Sequence, residues 1–136
     1  MQPILIDNPQ DAYRRQGVLT ASPAELIVML YDGLKKDLIL GKRAIGKNDA
    51  ANAHKFLMKA QDIVTELINC LNMDFEISEG LLDIYEFMLS SMEVANIRKD
   101  AEPLDPVIEM VESLRGAWQE ITLTQKGNLY LRQEQG

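Results

Sequence analysis

The sequence has little of what most active sites are built from. It holds one cysteine, Cys70, and one histidine, His54, among 136 residues. A single thiol cannot close an intramolecular disulfide or supply a thiolate metal cage, which fits a reducing compartment. A single histidine cannot furnish the paired Glu-x-x-His motifs of a di-metal bundle. No glycine loop with phosphate-cradling spacing and no nucleophile-and-base pairing occurs. Positive charge is also scarce: 14 lysines and arginines stand against 21 acids, a net charge of −7 with no basic cluster, so the global field disfavours nucleic acid as a partner. No run approaches the ~20 apolar residues of a membrane span, and residues 1–7 lack the basic flank and apolar stretch of a signal peptide. These absences predict a cytoplasmic chain that is neither inserted in a membrane nor an enzyme and that needs no cofactor or metal.

What is present is helical. With 46% hydrophobic and 26% charged residues, the chain is expected to form one domain with its own core. Residues 1–22, with Pro3, Pro9 and Gly17, read as a mobile N-terminal arm in which a short helix from Pro9 to Gln16 fits. Ser22-Pro23-Ala24-Glu25 is a capping box with proline at the first helical position, a strong helix start. That helix is expected to reach Ala44 or Ile45, where Gly46-Lys47-Asn48-Asp49 reads as a glycine stop, a turn and a new cap. Ala53, Phe56, Leu57, Ala60, Ile63, Val64, Leu67, Ile68 and Leu71 give the second helix its i, i+3, i+4, i+7 rhythm. Ser78 is the expected cap of a third helix from Glu79 to about Arg98. Asp100 or Asp105 starts a fourth, with Pro103 and Pro106 tolerated only in its first turn. Residues 23–121 are therefore predicted to be an all-α antiparallel four-helix bundle, followed by a loose polar tail over 122–136.

The distribution of apolar residues around each helix is uneven. At roughly 100° per residue, the second helix carries an apolar arc about 140° wide, the stripe expected of a bundle helix. The first spreads its apolar residues over roughly 200°, with Val28 and Ile39 outside even that arc. On the third, Leu81, Tyr85, Met88 and Met92 form an inward row with Leu82, Leu89 and Ile84 at its shoulders, while Phe87 and Val94 project from nearly the opposite side. Surplus apolar surface on helices marks a partner groove, a patch covered by the N-terminal arm, or a homodimer interface. All three stay open at this level, and the arm can cover a groove until a partner displaces it.

Other residue types have plainer readings. His54 lacks the lysine and glycine that support a phosphotransfer histidine and is expected to be solvated or at a boundary. Cys70, at a helix C-terminus where its pKa is not lowered, is expected in the core. Asp37 interrupts the apolar arc of the first helix and calls for a lysine or arginine beside it or a boundary position. Gly33 and Gly41 each cost about 1 kcal/mol of helix propensity and sit on the apolar side, where they permit close approach of another helix.

At Ala12-Tyr13, Val18-Leu19-Thr20-Ala21-Ser22-Pro23 and Glu25-Leu26 through Met29-Leu30-Tyr31-Asp32-Gly33, the sequence resembles the flagellin-specific export chaperone family, FliS. Lys59-Ala60-Gln61-Asp62-Ile63 with Glu66-Leu67, Leu71-Asn72, Leu82 through Tyr85-Glu86-Phe87-Met88, Ala95-Asn96 with Lys99-Asp100, and Trp118 extend the resemblance over roughly residues 9–121. The stretch from Thr20 to Gly33 is its most specific part. It departs from the family pattern at Asp37, where an apolar residue is common, and at Ser90-Ser91-Met92, where arginines often stand. The resemblance implies a helical bundle without catalysis that binds the C-terminal segment of flagellin in the cytoplasm, prevents premature polymerisation and assists delivery to the export apparatus. Other flagellar regulatory or export proteins are further implied partners, and the expected state is a monomer or weak homodimer. Tyr31, Leu34, Leu38, Leu82, Phe87, Leu89 and Val94 are the expected partner contacts, and Tyr13 and Leu19 belong to the covering arm. The alternative is a self-associating structural or adaptor bundle with no flagellin client.

Overall fold

The computed structural model describes residues 22–122 and 130–131. Among these described residues four helices follow one another: α1 (Pro23–Gly46), α2 (Ala50–Asn69), α3 (Glu76–Arg98) and α4 (Leu104–Thr122). Helix α1 packs on α2 and α4, and α3 closes the ring between those two, with α3 and α4 the least closely packed neighbours. Short connections between consecutive helices enforce the up-and-down order of an antiparallel bundle.

The helix ends follow local chemistry. Ser22 Oγ accepts from the Glu25 amide at 3.2 Å, while its own hydroxyl donates to Glu25 Oε1 at 3.1 Å, so the capping box closes through the side-chain hydroxyl rather than the Ser22 amide. Asp49 caps α2 by accepting from the Asn52 amide at 3.1 Å. The end of α1 corrects the glycine stop. Gly46 is still helical, and Asn48 takes the left-handed conformation at φ 57°, which asparagine tolerates better than most residues. The amides of Asn48 and Asp49 then bond the carbonyls of Ile45 and Ala44 in a Schellman arrangement. Helix α3 begins three residues earlier than Ser78 predicts. Its N-cap is Phe75, without a side-chain cap, and the buried Ser78 donates its hydroxyl to the Asn72 carbonyl at 2.6 Å instead.

Two devices set how α1 lies against its neighbours. Toward α2 it offers glycine: a β-carbon at Gly41 would stand 3.0 Å from Leu57 Cδ2, so the missing side chain lets the two helices approach. Toward α4 it offers charge. Asp32 pairs with Arg115 at 2.5 Å, Lys35 with Glu112 at 3.1 Å and Lys42 with Asp105 at 2.7 Å, so each step along α1 is matched by an equal step back along α4. Exposed pairs of this kind add ~0–1 kcal/mol each, and their consistent spacing marks the antiparallel register.

The tail departs from its expected looseness where it is described. Leu131 is buried and joins the core, and Leu131 and Leu71 form an isolated antiparallel bridge. Cys70 is half-buried, with its thiol 3.9 Å from Glu66 Oε1, rather than a full core residue.

The two α1 glycines should respond oppositely to alanine. At Gly33 the nearest atom to an added β-carbon is Ile63 Cδ1 at 3.5 Å, an ordinary contact, so Gly33→Ala should raise stability by about 0.5–1 kcal/mol through helix propensity. At Gly41 the added carbon presses on the fully buried Leu57, and overpacking of about 1–3 kcal/mol outweighs the propensity gain. Urea unfolding of both variants should therefore move the midpoint up for the first and down for the second.

Candidate functional site

Around α3 the inward row is Leu81, Tyr85, Met88 and Met92, all buried. Its two shoulders face different neighbours. Asn96, on the same shoulder as Leu82 and Leu89, lies 3.0 Å through its amide nitrogen from His54 Nδ1 on α2, so Leu82 and Leu89 sit half-buried on the α2 side. Ile84 is on the other shoulder and lines an open groove of about 390 Å³ with Pro106, Glu109, Met110, Ser113 and Leu114 of α4. Phe87 stands one turn beyond Ile84, and Val94 two turns beyond Phe87. These two are 46% and 37% exposed. The four α3 positions expected to act together thus divide into Leu82 with Leu89 and Phe87 with Val94, roughly 140° apart around the helix axis.

The α1 positions need correction. Tyr31, Leu34 and Leu38 are fully buried members of the core cluster and offer no surface to a partner in this conformation. Tyr31 points across the bundle to Tyr85, with the two hydroxyls 2.5 Å apart. Burial pushes the Tyr31 hydroxyl far above the ordinary tyrosine range, with the Tyr85 hydroxyl adding to the rise and a hydrogen bond with Trp118 offsetting part of it. Burial likewise pushes Tyr85 up to about 12, against the opposing hydrogen bond with Tyr31. The wide apolar arc of α1 is therefore largely core. Val28 and Ile39 are half-buried, and only Met29 among its large apolar residues is exposed.

Asp37 is half-buried on the α2 side. Loss of water raises its carboxyl pKa, while Lys59 of α2 and then Lys36 draw it back down. That is the lysine-balanced boundary position expected of it. Tyr13 and Leu19 lie outside the described residues. A further exposed group escaped the sequence reading: Met73, Phe75 and Ile77 in and beside the α2–α3 connection. No periodicity flags apolar residues in a turn, and only their clustering within five positions could have drawn notice. Among the described residues, no helix is long and apolar enough to cross a membrane.

Among the described residues the bundle is all-helical, and its outward features are an open groove and exposed apolar side chains, the kind of surface by which binding proteins meet their partners. The chain belongs to the FliS family: the family described as flagellar protein FliS matches residues 6–125. It is 37% identical over 115 residues to the flagellar secretion chaperone FliS of Bacillus subtilis (strain 168), covering 85% of this chain and 86% of the relative. It is 35% identical over 103 residues to the protein of the same name from Vibrio cholerae, covering 74% and 76%. With that of Salmonella typhimurium the identity is 29% over 108 residues, covering 77% and 80%. FliS is a family of chaperones, not of enzymes.

The tyrosine pair has a pH signature. Below pH 10 both phenols are protonated whether the chain is folded or unfolded, so their contribution to stability is constant. Above pH 10 the unfolded tyrosines ionise while the folded ones hold their protons, and stability falls by up to about 1.4 kcal/mol per pH unit for each phenol. Urea midpoints measured between pH 9 and pH 11.5 should show this decline. Tyr85→Phe should cost about 1 kcal/mol at pH 8 and make the alkaline decline shallower.

Proposed function

We propose that this flagellar export chaperone works in the cytoplasm by holding the disordered C-terminal segment of flagellin. It would keep that segment from polymerising prematurely and assist its delivery to the export apparatus. Family membership supports the chaperone role, and the observation that carries the client reading is the outer flank of α3. There Phe87 and Val94 are partly exposed, on the side of α3 that carries Ile84 to the α3–α4 groove.

The mechanism is coupled folding. An extended client segment lays apolar side chains along the flank and into the groove lined by Ile84, Met110 and Leu114, becoming helical as it does so. Ordering the segment costs several kcal/mol, so the receiving surface has to be apolar and elongated to offset it. Leu82 and Leu89 serve the same client on the α2 side of α3, which allows the segment to wrap the helix rather than fill one cleft. This arrangement suits a chaperone: shallow contacts spread along a flank release a client stepwise.

Titration of the purified protein with a flagellin C-terminal peptide, followed by circular dichroism, should show a saturable gain in helix content beyond the sum of the two components. Phe87→Ser with Val94→Ser should leave the helicity and melting of the free protein nearly unchanged, because both side chains are already partly in water. Each loses about 1 kcal/mol of burial in the complex, since full burial of such a side chain is worth about 1.5–3 kcal/mol. Affinity should therefore fall on the order of thirtyfold. Unaltered affinity would remove this flank from the site, and sedimentation as a tight dimer with no affinity for the peptide would favour self-association instead.

A further inference from the structure

The α2–α3 connection is organised around Asn72. Its carbonyl oxygen accepts from the Phe75 amide at 3.3 Å and from the Ser78 hydroxyl at 2.6 Å. Its side-chain oxygen accepts from the Asp74 amide at 3.1 Å. Those bonds shape the turn itself. The Asn72 amide donates instead to the Tyr130 carbonyl at 3.0 Å. Beside it, Leu71 and Leu131 pair as an antiparallel bridge, and both leucines are sealed in the core. The Tyr130 ring meets Phe75 edge to face at 5.4 Å and Trp118 at 6.5 Å.

We propose that this connection is a peptide-receiving slot. It takes an extended segment in which an aromatic residue is followed by leucine, and the chain's own Tyr130–Leu131 fills it in cis. Three elements recognise the segment: a short backbone edge at residues 71–72, a hole for one leucine opening into the core, and an aromatic notch between Phe75 and Trp118. Backbone pairing with side-chain pockets is how extended peptides add to an exposed edge. Two observations indicate that the occupant can leave. The two described tail residues meet the α2–α3 connection through the Leu71–Leu131 bridge, the Asn72–Tyr130 backbone bond and the Tyr130 ring, and short units of this kind open below the energy of global unfolding. In addition, Phe75 beside Tyr130 stays partly exposed, as do Met73 and Ile77 two residues to either side of it, so a longer incoming segment finds apolar surface in the same connection. The slot uses neither Phe87 nor Val94, and its test is independent of flagellin binding.

The probe is a peptide of residues 126–136 of this chain, and Trp118, the single tryptophan, is the reporter. In the full chain carrying Tyr130→Ala and Leu131→Ala, helicity should persist and Trp118 emission should shift to the red as its aromatic neighbour is lost. Adding the peptide should reverse the shift saturably, and a peptide with both residues replaced by alanine should not. In the unaltered chain the tethered tail acts at an effective concentration on the order of mM, so the free peptide should bind at least about tenfold more weakly. A folded variant whose tryptophan ignores the peptide overturns the proposal. Hydrogen exchange on the unaltered chain tests it without substitution: exchange of the Asn72 amide while the helix amides stay protected supports a separable occupant, and exchange only with global unfolding overturns it.

Discussion

The contact between the Tyr31 and Tyr85 hydroxyls governs much of the molecular surface. It joins α1 to α3 across the bundle, between helices that are not sequence neighbours. A phenol buried without a partner carries a desolvation cost of about 1–3 kcal/mol, so neither helix can rotate about its axis without exposing one tyrosine or orphaning the other. With that rotation fixed, Leu34 and Leu38 follow Tyr31 inward and Met88 and Met92 follow Tyr85. The same constraint holds Phe87 and Val94 outward. The apolar flank proposed to receive a client is thus the far side of a polar lock in the core.

That relation explains which parts of the site could be read from sequence. Four helices, the Ser22 cap and the Asp49 cap follow from local chemistry, and α3's inward row and opposed pair follow from spacing alone, because the apolar residues of α3 form separated stripes. Helix α1 gives no such separation. When apolar residues cover more than half of the circumference, spacing cannot say which of them are the core, and Tyr31, Leu34 and Leu38 were on that account expected at the surface. Their placement depends on the tyrosine pair and on the approach of α2 at Gly41, both of them relations between distant parts of the chain.

The ends of elements were misplaced for a related reason. Ser78 has the residue type of an N-cap, yet its hydroxyl serves the carbonyl of Asn72 inside the preceding turn, and the helix starts ahead of it. Gly46 has the residue type of a helix stop, yet Asn48 supplies the left-handed residue two positions later. Each residue does what its chemistry allows. Which of its allowed roles it takes is decided by what else competes for the same backbone groups. The tail illustrates the limit: nothing in the polar composition of residues 122–136 identifies Tyr130 and Leu131 as the pair that closes onto the α2–α3 turn.

The surplus of apolar surface can then be located. In α1 it is largely absorbed by packing, with Val28 and Ile39 half-covered and the α4 side carrying three ion pairs. In α3 it is not absorbed, because α3 and α4 are the least closely packed neighbours and leave a groove between them. A bundle selected only for stability would close that gap, since each methylene brought out of water is worth about 0.8 kcal/mol. Leaving it open while α1 is packed closely on both sides divides the molecule into a closely packed half and an open half. On the proposed reading, such a division lets the chaperone hold its client without losing its own fold: the closely packed half supplies the stability, and the open half offers apolar surface to the client.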